Sequence, residues 1–250
     1  MTRKESIEAL NHYFDSNHGT ATLEQIRDYF RKSEPNIPDA TVNWRIHDLV
    51  DNGALRRVGR GLFEPGSEIV YTPELPSRAI KISKSLKKNF PFISFCVWSS
   101  DLLNEFAQHI SSYPFLLVDV EKDVAESVYY RLNDEFGGVF LRPTETIIND
   151  LLPNFRLPLV IRHLVSESPL NQVNGLSSVS LEKLLVDAFC DPEFRFLEGS
   201  ELRAVFSNAF YKYTVNKNKL LRYAARKGRK PELAAYLRDG NFIQSTAKPD

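Results

Sequence analysis

Two carboxylates, Asp119 and Glu121, stand two positions apart at the end of the apolar run Pro114–Val120. On an extended strand, side chains at i and i+2 share a face. Two acids placed this way can hold a divalent cation for phosphoryl chemistry. A nuclease of the acid-x-Lys type wants a lysine two after the acid, whereas Lys122 follows Glu121 directly. A nucleotidyl-transfer enzyme wants Gly-Ser shortly before the paired acids. Here Gly66-Ser67 is far upstream and Gly199-Ser200 lies downstream. The plainer reading places both acids at a strand-to-helix junction, where they favour the next helix N-terminus. A metal-dependent nuclease or nucleotidyl-transfer enzyme, with a targeting module attached, therefore stands as the alternative rather than the leading expectation. No Ser/His/Asp or Cys/His constellation assembles, and there is no Gly-x-x-x-x-Gly-Lys-Ser/Thr loop. The five His and two Cys show no zinc-site spacing. No catalytic group, metal or cofactor is expected, and Cys96 and Cys190, each inside an apolar run, read as buried free thiols.

A second set of residues is suited to nucleic acid. In the segment after Asp39, the apolar positions Val42, Ile46, Leu49 and Val50 fall on one helical stripe. Thr41, Asn43, Trp44, Arg45 and His47 fall on the outward side or at its borders. Arg can bond guanine bidentately, Asn can bond adenine, and a Thr methyl or Trp ring can meet a thymine methyl. The bland alternative is that Trp44 packs against another part of the chain. Arg56, Arg57 and Arg60 follow in a short alternating segment with Gly59 and Gly61 at its tip. Guanidinium groups at a tight turn suit phosphates or a minor groove. Lys84 and Lys88, in a run with Arg78, Lys81 and Lys87, form either a solvated face or a phosphate strap. Arg222, Arg226, Lys227, Arg229 and Lys230, interleaved with tyrosines, make either a phosphate-binding surface or a dock for the chain's own acidic region.

The elements that must hold these residues can be read from periodicity. A first helix is expected over about residues 4–16, a second capped by Thr22, and a third capped by Asp39 and ended by Gly53. The stretches 54–58 and 62–64 alternate as a hairpin. Three helices and a hairpin are the winged helix-turn-helix plan, expected over residues 1–68, and its third helix enters the major groove. A basic linker is expected over 69–90. Residues 91–240 alternate strand-like and helix-like runs: strands at 92–98, 114–120, 139–141 and 157–164, helices at 101–110, 122–136 and 144–152. A hairpin at 171–178, a helix capped by Ser180, and three basic terminal helices complete the chain. The expected class is α/β, α+β overall.

The chain's formal net charge is zero, which on its face argues against a nucleic-acid partner. The balance is a sum of opposed regions. Residues 78–88 carry +5, residues 89–199 carry −9, and residues 200–238 carry +8. The 29 aromatic residues exclude a disordered chain, and no apolar run reaches the ~20 residues of a membrane span. The N-terminus has no signal-peptide core. A cytoplasmic protein with no membrane partner is expected.

Two stretches carry a family resemblance. Trp44-Arg45-Ile46-His47-Asp48-Leu49-Val50-Asp51-Asn52-Gly53-Ala54-Leu55-Arg56-Arg57-Val58-Gly59-Arg60-Gly61-Leu62-Phe63 resembles the end of the winged helix that opens AbiEi-type antitoxins of abortive-infection, type IV toxin–antitoxin systems. Gly175-Leu176-Ser177-Ser178-Val179-Ser180-Leu181-Glu182-Lys183-Leu184-Leu185-Val186-Asp187 is similar to that family's Pro-Thr-Leu-Glu-Lys-hydrophobic-Leu-Val-Asp helix start, with Val179-Ser180 in place of Pro-Thr. Together the matches bracket about residues 20–190. The resemblance implies an N-terminal domain that binds inverted repeats in double-stranded DNA at its own promoter. It also implies a C-terminal domain that counteracts a nucleotidyltransferase-like toxin. Lys183 and Asp187 belong to the antitoxin-domain signature by this resemblance, while their i, i+4 spacing is equally that of a plain ion pair.

Overall fold

The computed structural model describes residues 10, 13, 14, 19–51, 53–66, 69–110, 113–240 and 242. The fold is α+β, and the chain divides into two compact units, residues 1–71 with 209–220, and residues 72–208 with 221–250.

In the first unit, a short strand β1 (Ala21–Thr22) leads into helix α1 (Leu23–Ser33). Thr22 starts the helix by a reciprocal cap. Its hydroxyl accepts from Gln25 N at 3.2 Å, and its own N–H donates to the Gln25 side chain at 2.7 Å. A turn at Pro35–Pro38 separates α1 from α2 (Asp39–Asp51). Asp39 is the first helical residue, and its carboxylate accepts from Arg31 at 2.8 Å. Gly53, at φ +73°, ends α2 in the left-handed conformation that glycine adopts without steric cost. Strands β2 (Leu55–Gly59) and β3 (Leu62–Pro65) form the wing, bulged between Arg57 and Gly59. β1 adds to β3, so the sheet order is β1-β3-β2, all antiparallel. This is the winged helix-turn-helix plan. The core is Ile26 and Phe30 of α1, Val42, Ile46 and Leu49 of α2, and Phe63 of the wing, with Leu10 and Phe14 packed in. Most of the helix expected over residues 4–16 lies outside the described residues; Leu10, Tyr13 and Phe14 are helical.

Residues 209–220 group with this unit, which periodicity did not anticipate. The reason is long-range. Tyr213 packs edge-on against Tyr71 at 5.3 Å, and the Thr214 hydroxyl donates to the Gly53 carbonyl at 2.9 Å.

The expected linker is largely a helix, α3 (Ser77–Asn89). Its lysines lie exposed, while Ala79, Ile82 and Leu86, at i, i+3 and i+7, are buried in the second unit's core. That apolar stripe outweighs the basic composition that made the segment look like a strap. The sheet of this unit contains β4 (Phe95–Ser99), β5 (Leu116–Val120), β6 (Val139–Leu141) and β7 (Leu159–His163), in the order β4-β5-β7-β6. β5, β7 and β6 run parallel, and β4 is antiparallel to β5. Helix α3 and helix α4 (Ala125–Phe136) pack on the face that carries Leu116, Val118 and Val120. The helix expected over 101–110 is shorter, a 3-10 segment at Ser100–Glu105, and that over 144–152 is a π-turn at Ile147–Leu151.

Hairpin β8 (Leu170–Val173) and β9 (Leu176–Val179) leads to α5 (Leu181–Cys190). Ser180 caps α5, its hydroxyl accepting from Lys183 N at 3.4 Å and donating to Glu182 at 2.9 Å. Because α5 is buried along most of its length, this cap acts on a helix that water cannot cap in its place. Ser180→Ala should cost about 1 kcal/mol, measured as a lower urea midpoint with an unchanged m-value. Helices α6 (Ser200–Lys212), α7 (Lys217–Arg226) and α8 (Lys230–Asp239) follow. Cys96 and Cys190 are free thiols; Cys96 is buried and Cys190 partly so. Among the described residues, no helix is long and apolar enough to cross a membrane.

Candidate nucleic-acid interface and a buried ionic centre

On α2, Asn43, Trp44 and His47 lie on the solvent side, with Trp44 67% exposed. Asn43 accepts from Arg27 of α1 at 3.0 Å, which fixes its amide at the surface. Thr41 is half-buried. Arg45 is placed differently from the expected base reader. Its guanidinium donates two bonds to Glu34, at 2.8 and 3.1 Å, and lies 5.7 Å from the Phe30 ring. It braces the turn between the two helices, and its presence holds the Glu34 carboxyl below the ordinary range.

The wing divides its arginines in the same way. Arg56 faces Glu64 across the β2–β3 register and pairs with it, and Lys217 joins Glu64 at 3.5 Å. Arg57 is exposed, with its guanidinium 5.1 Å from the Phe63 ring. Arg60, at the tip, is exposed and makes no ion pair among the described residues. Strand alternation accounts for the split between Arg56 and Arg57, since neighbours along a strand face opposite sides.

In the second unit, Lys84 and Lys88 of α3 are exposed. In the terminal helices, Arg222 and Arg226 both approach Glu167, Arg222 at 3.8 Å. Arg229 pairs with Glu232 at 3.2 Å, and Lys230 is exposed. Lys227 is committed to the protein interior. Its ammonium donates to Asp187 at 2.8 Å and to Asp191 at 2.6 Å.

Lys227 is one member of a buried ionic centre that sequence reading did not assemble. Asp119 of β5 stands beside Arg162 of β7 in the parallel register, and Arg162 donates to it at 2.7 Å. The same guanidinium reaches Asp187 at 2.9 Å and Asp191 at 2.7 Å. Lys183 of α5 meets Asp187 at 2.5 Å and Asp119 at 2.8 Å. The Tyr223 hydroxyl donates to Asp187 at 3.0 Å, and the Trp98 indole donates to Asp119 at 3.2 Å. Burial opposes the charge of every member, but the partners decide most of them. Arg162 and Lys183 hold Asp119 below the carboxylate range, and Lys183, Lys227 and Arg162 hold Asp187 well below it. The same acids hold Lys183 and Arg162 well above their ordinary values. Asp191 is the exception. Its burial and the adjacent Asp187 outweigh Arg162 and Lys227, and its pKa is pushed up to about 6.

This geometry parts Asp119 from Glu121, the two acids whose spacing suggested a metal site. Asp119 is engaged by two cations, whereas Glu121 is exposed beyond the strand end and accepts from Ser94 N at 2.7 Å. Among the described residues, no group of three or more His, Cys, Asp or Glu has an arrangement that fits a metal ion. Lys183 and Asp187 form the i, i+4 pair expected, but as the middle of a larger network rather than an isolated pair.

Among the described residues of this unit, two of the cavities bear on the ionic centre and its surroundings. One, of about 300 Å³, opens onto the ionic centre. The other, of about 510 Å³, is lined mainly by apolar groups such as Tyr113, Ile148, Leu152 and Phe196, and shares Glu193 with the first.

The fold and these sites define a winged helix joined to an α+β unit with a charged interior. Residues 41–242 match a family described as "Family of unknown function (DUF6577)". The match covers most of the chain, and the protein belongs to that family. No curated protein matches the sequence.

Proposed function

We propose that the protein is a cytoplasmic, sequence-specific DNA-binding repressor of its own promoter, with an antitoxin-like role beside a nucleotidyltransferase-like toxin. The observation that carries the DNA-binding part is the division of labour in the winged helix. Arg45 and Arg56 are spent on internal ion pairs, while Asn43, Trp44 and His47 on α2 and Arg57 and Arg60 on the wing face solvent. A helix with Asn and an aromatic ring outward suits base edges, and wing arginines suit phosphates. The antitoxin part rests on the resemblance of residues 44–63 and 175–187 to AbiEi-type antitoxins. The exposed Lys84, Lys88 and Lys230 are candidates for additional phosphate contacts.

The test is fluorescence anisotropy of the full chain on DNA from upstream of its own reading frame, across a range of salt. Arg57→Ala/Arg60→Ala should weaken binding by roughly tenfold or more and lower the slope of log K against log[salt] by up to about 1.8, at about 0.9 for each phosphate no longer neutralised. Asn43→Ala should instead reduce the preference for the operator over random duplex. Unchanged affinity and slope in the wing variant would remove the wing from the interface.

A further inference from the structure

The cavity above the ionic centre has features that the winged-helix reading leaves unused. It lies at the carboxyl ends of the parallel strands. Arg142 follows β6, Arg162 and His163 end β7, and Asp119 is the penultimate residue of β5. In open sheets with parallel strands, ligands bind in the crevice outside those strand ends. Its volume, about 300 Å³, is at the lower end for small-molecule sites.

Three polar groups at this cavity lack hydrogen-bond partners among the described residues. Arg142 is exposed, and its side chain makes no ion pair among the described residues. Its backbone is at φ +45°, a conformation costly for a residue with a Cβ and held here by its N–H bond to the Ile161 carbonyl at 2.9 Å. His163 is half-buried, and burial together with the charges of Arg142 and Lys122 holds its pKa below the ordinary value. The neutral ring is therefore favoured until an anionic ligand approaches it. Glu193 is 6% exposed, and the cation nearest its carboxylate is Arg162 at 3.9 Å, beyond hydrogen-bond reach. Its carboxylate oxygens are not sealed from water and stand at the cavity wall, open to a donor on a bound molecule. Beneath these groups the ionic centre is itself expensive to bury, and apolar packing of equal volume is often at least as stable.

We infer that this cavity binds a small molecule with an oxyanion at one end and an N–H or O–H donor at the other. The oxyanion lies against Arg142 and His163, and the donor meets Glu193. Arg162, Lys183 and Lys227 are bound by the acids around them and set the shape and charge of the floor. The anionic end is a phosphate or a carboxylate, and the choice of probe separates the two.

The experiment is isothermal titration of the full chain with inorganic phosphate, adenosine 5′-monophosphate and L-glutamate, alongside the His163 imidazole signal in NMR. The signal is assigned by its loss in His163→Gln. Saturable binding of at least one probe is expected, with a shift of the His163 resonance. Tighter binding of the nucleotide assigns a phosphate, and tighter binding of glutamate assigns a carboxylate. Arg142→Gln should weaken binding at least tenfold while leaving the circular dichroism spectrum and melting temperature unchanged, since Arg142 is on the surface. Glu193→Gln should weaken the nucleotide or glutamate but not inorganic phosphate, which is too small to span both ends. No saturable binding of any probe up to about 10 mM, weaker than a small-molecule site of this kind provides, would overturn the inference. Binding that Arg142→Gln leaves intact would also overturn it, because the anion would then sit elsewhere, for example on the winged helix.

Discussion

Asp187→Asn should destabilise the second unit by about 3–5 kcal/mol, the largest effect expected of any isosteric change in this protein. The Asp187 carboxylate is fully buried and accepts from Lys183, Arg162, Lys227 and the Tyr223 hydroxyl. An asparagine keeps the shape but removes the charge that compensates three buried cations, and it turns one acceptor into a donor facing them. The remaining acids cannot take over. Asp119 is already engaged by Arg162 and Lys183, and Asp191 by Arg162 and Lys227. Trp98 stacks on Phe194 at 5.6 Å and donates to Asp119, so its fluorescence reports this region. In a Trp44→Phe background it is the sole tryptophan, and urea unfolding followed through it measures the loss directly. A shift of less than about 1 kcal/mol would mean that water reaches the cluster and that its charges are solvated rather than paired. Lys183→Met combined with Asp187→Leu should be less harmful than the sum of the single changes, because a cation and its partner leave together.

The ionic centre also shows where sequence reading stops. Caps and stripes are local. Thr22, Ser180 and Gly53 act within a few residues of themselves, and the Val42–Ile46–Leu49 stripe lies on one helix, so each was legible. The wing was legible too, but not the split between Arg56 and Arg57. That split depends on which strand face meets Glu64, and the β-bulge helps set it. Arg45 looked like a base reader because its partner Glu34 lies eleven residues earlier, across a turn whose geometry periodicity does not give. In the second unit, Asp119 and Arg162 meet because β5 and β7 pair in one particular parallel register. A slip of one residue would send Arg162 to the opposite face. Lys227 meets Asp187 across forty residues and Asp191 across thirty-six. Segregated charge along the chain left open whether the basic end neutralises the acidic body. Lys227 does so in the interior, while Lys84 and Lys88 remain on the surface.

The remaining large effect is a pH dependence with an unusual sign, and it belongs to Asp191. In an unfolded chain this carboxyl titrates near 3.8, and in the folded protein near 6. Between those values the folded state binds the proton that the unfolded state has released. Stability therefore falls as pH rises through this window and is flat above it. A difference of about two pH units between the two states corresponds to about 3 kcal/mol, present as stability below pH ~4 and lost above pH ~6. Asp119 and Asp187 act oppositely. Their folded pKa values are depressed, so their contribution is present above the unfolded value and is lost as pH falls below about 4. His163 also opposes Asp191, because its depressed pKa makes acid destabilising below about pH 6.5. The variant Asp191→Asn isolates the Asp191 contribution. It mimics the protonated side chain and leaves Lys227 paired with Asp187. It should match the parent near pH 4 and be more stable at pH 7.5, by up to about 3 kcal/mol, in urea titrations at both values. A variant less stable than the parent at pH 7.5 would show that Asp191 is a favourable partner of Arg162 and Lys227.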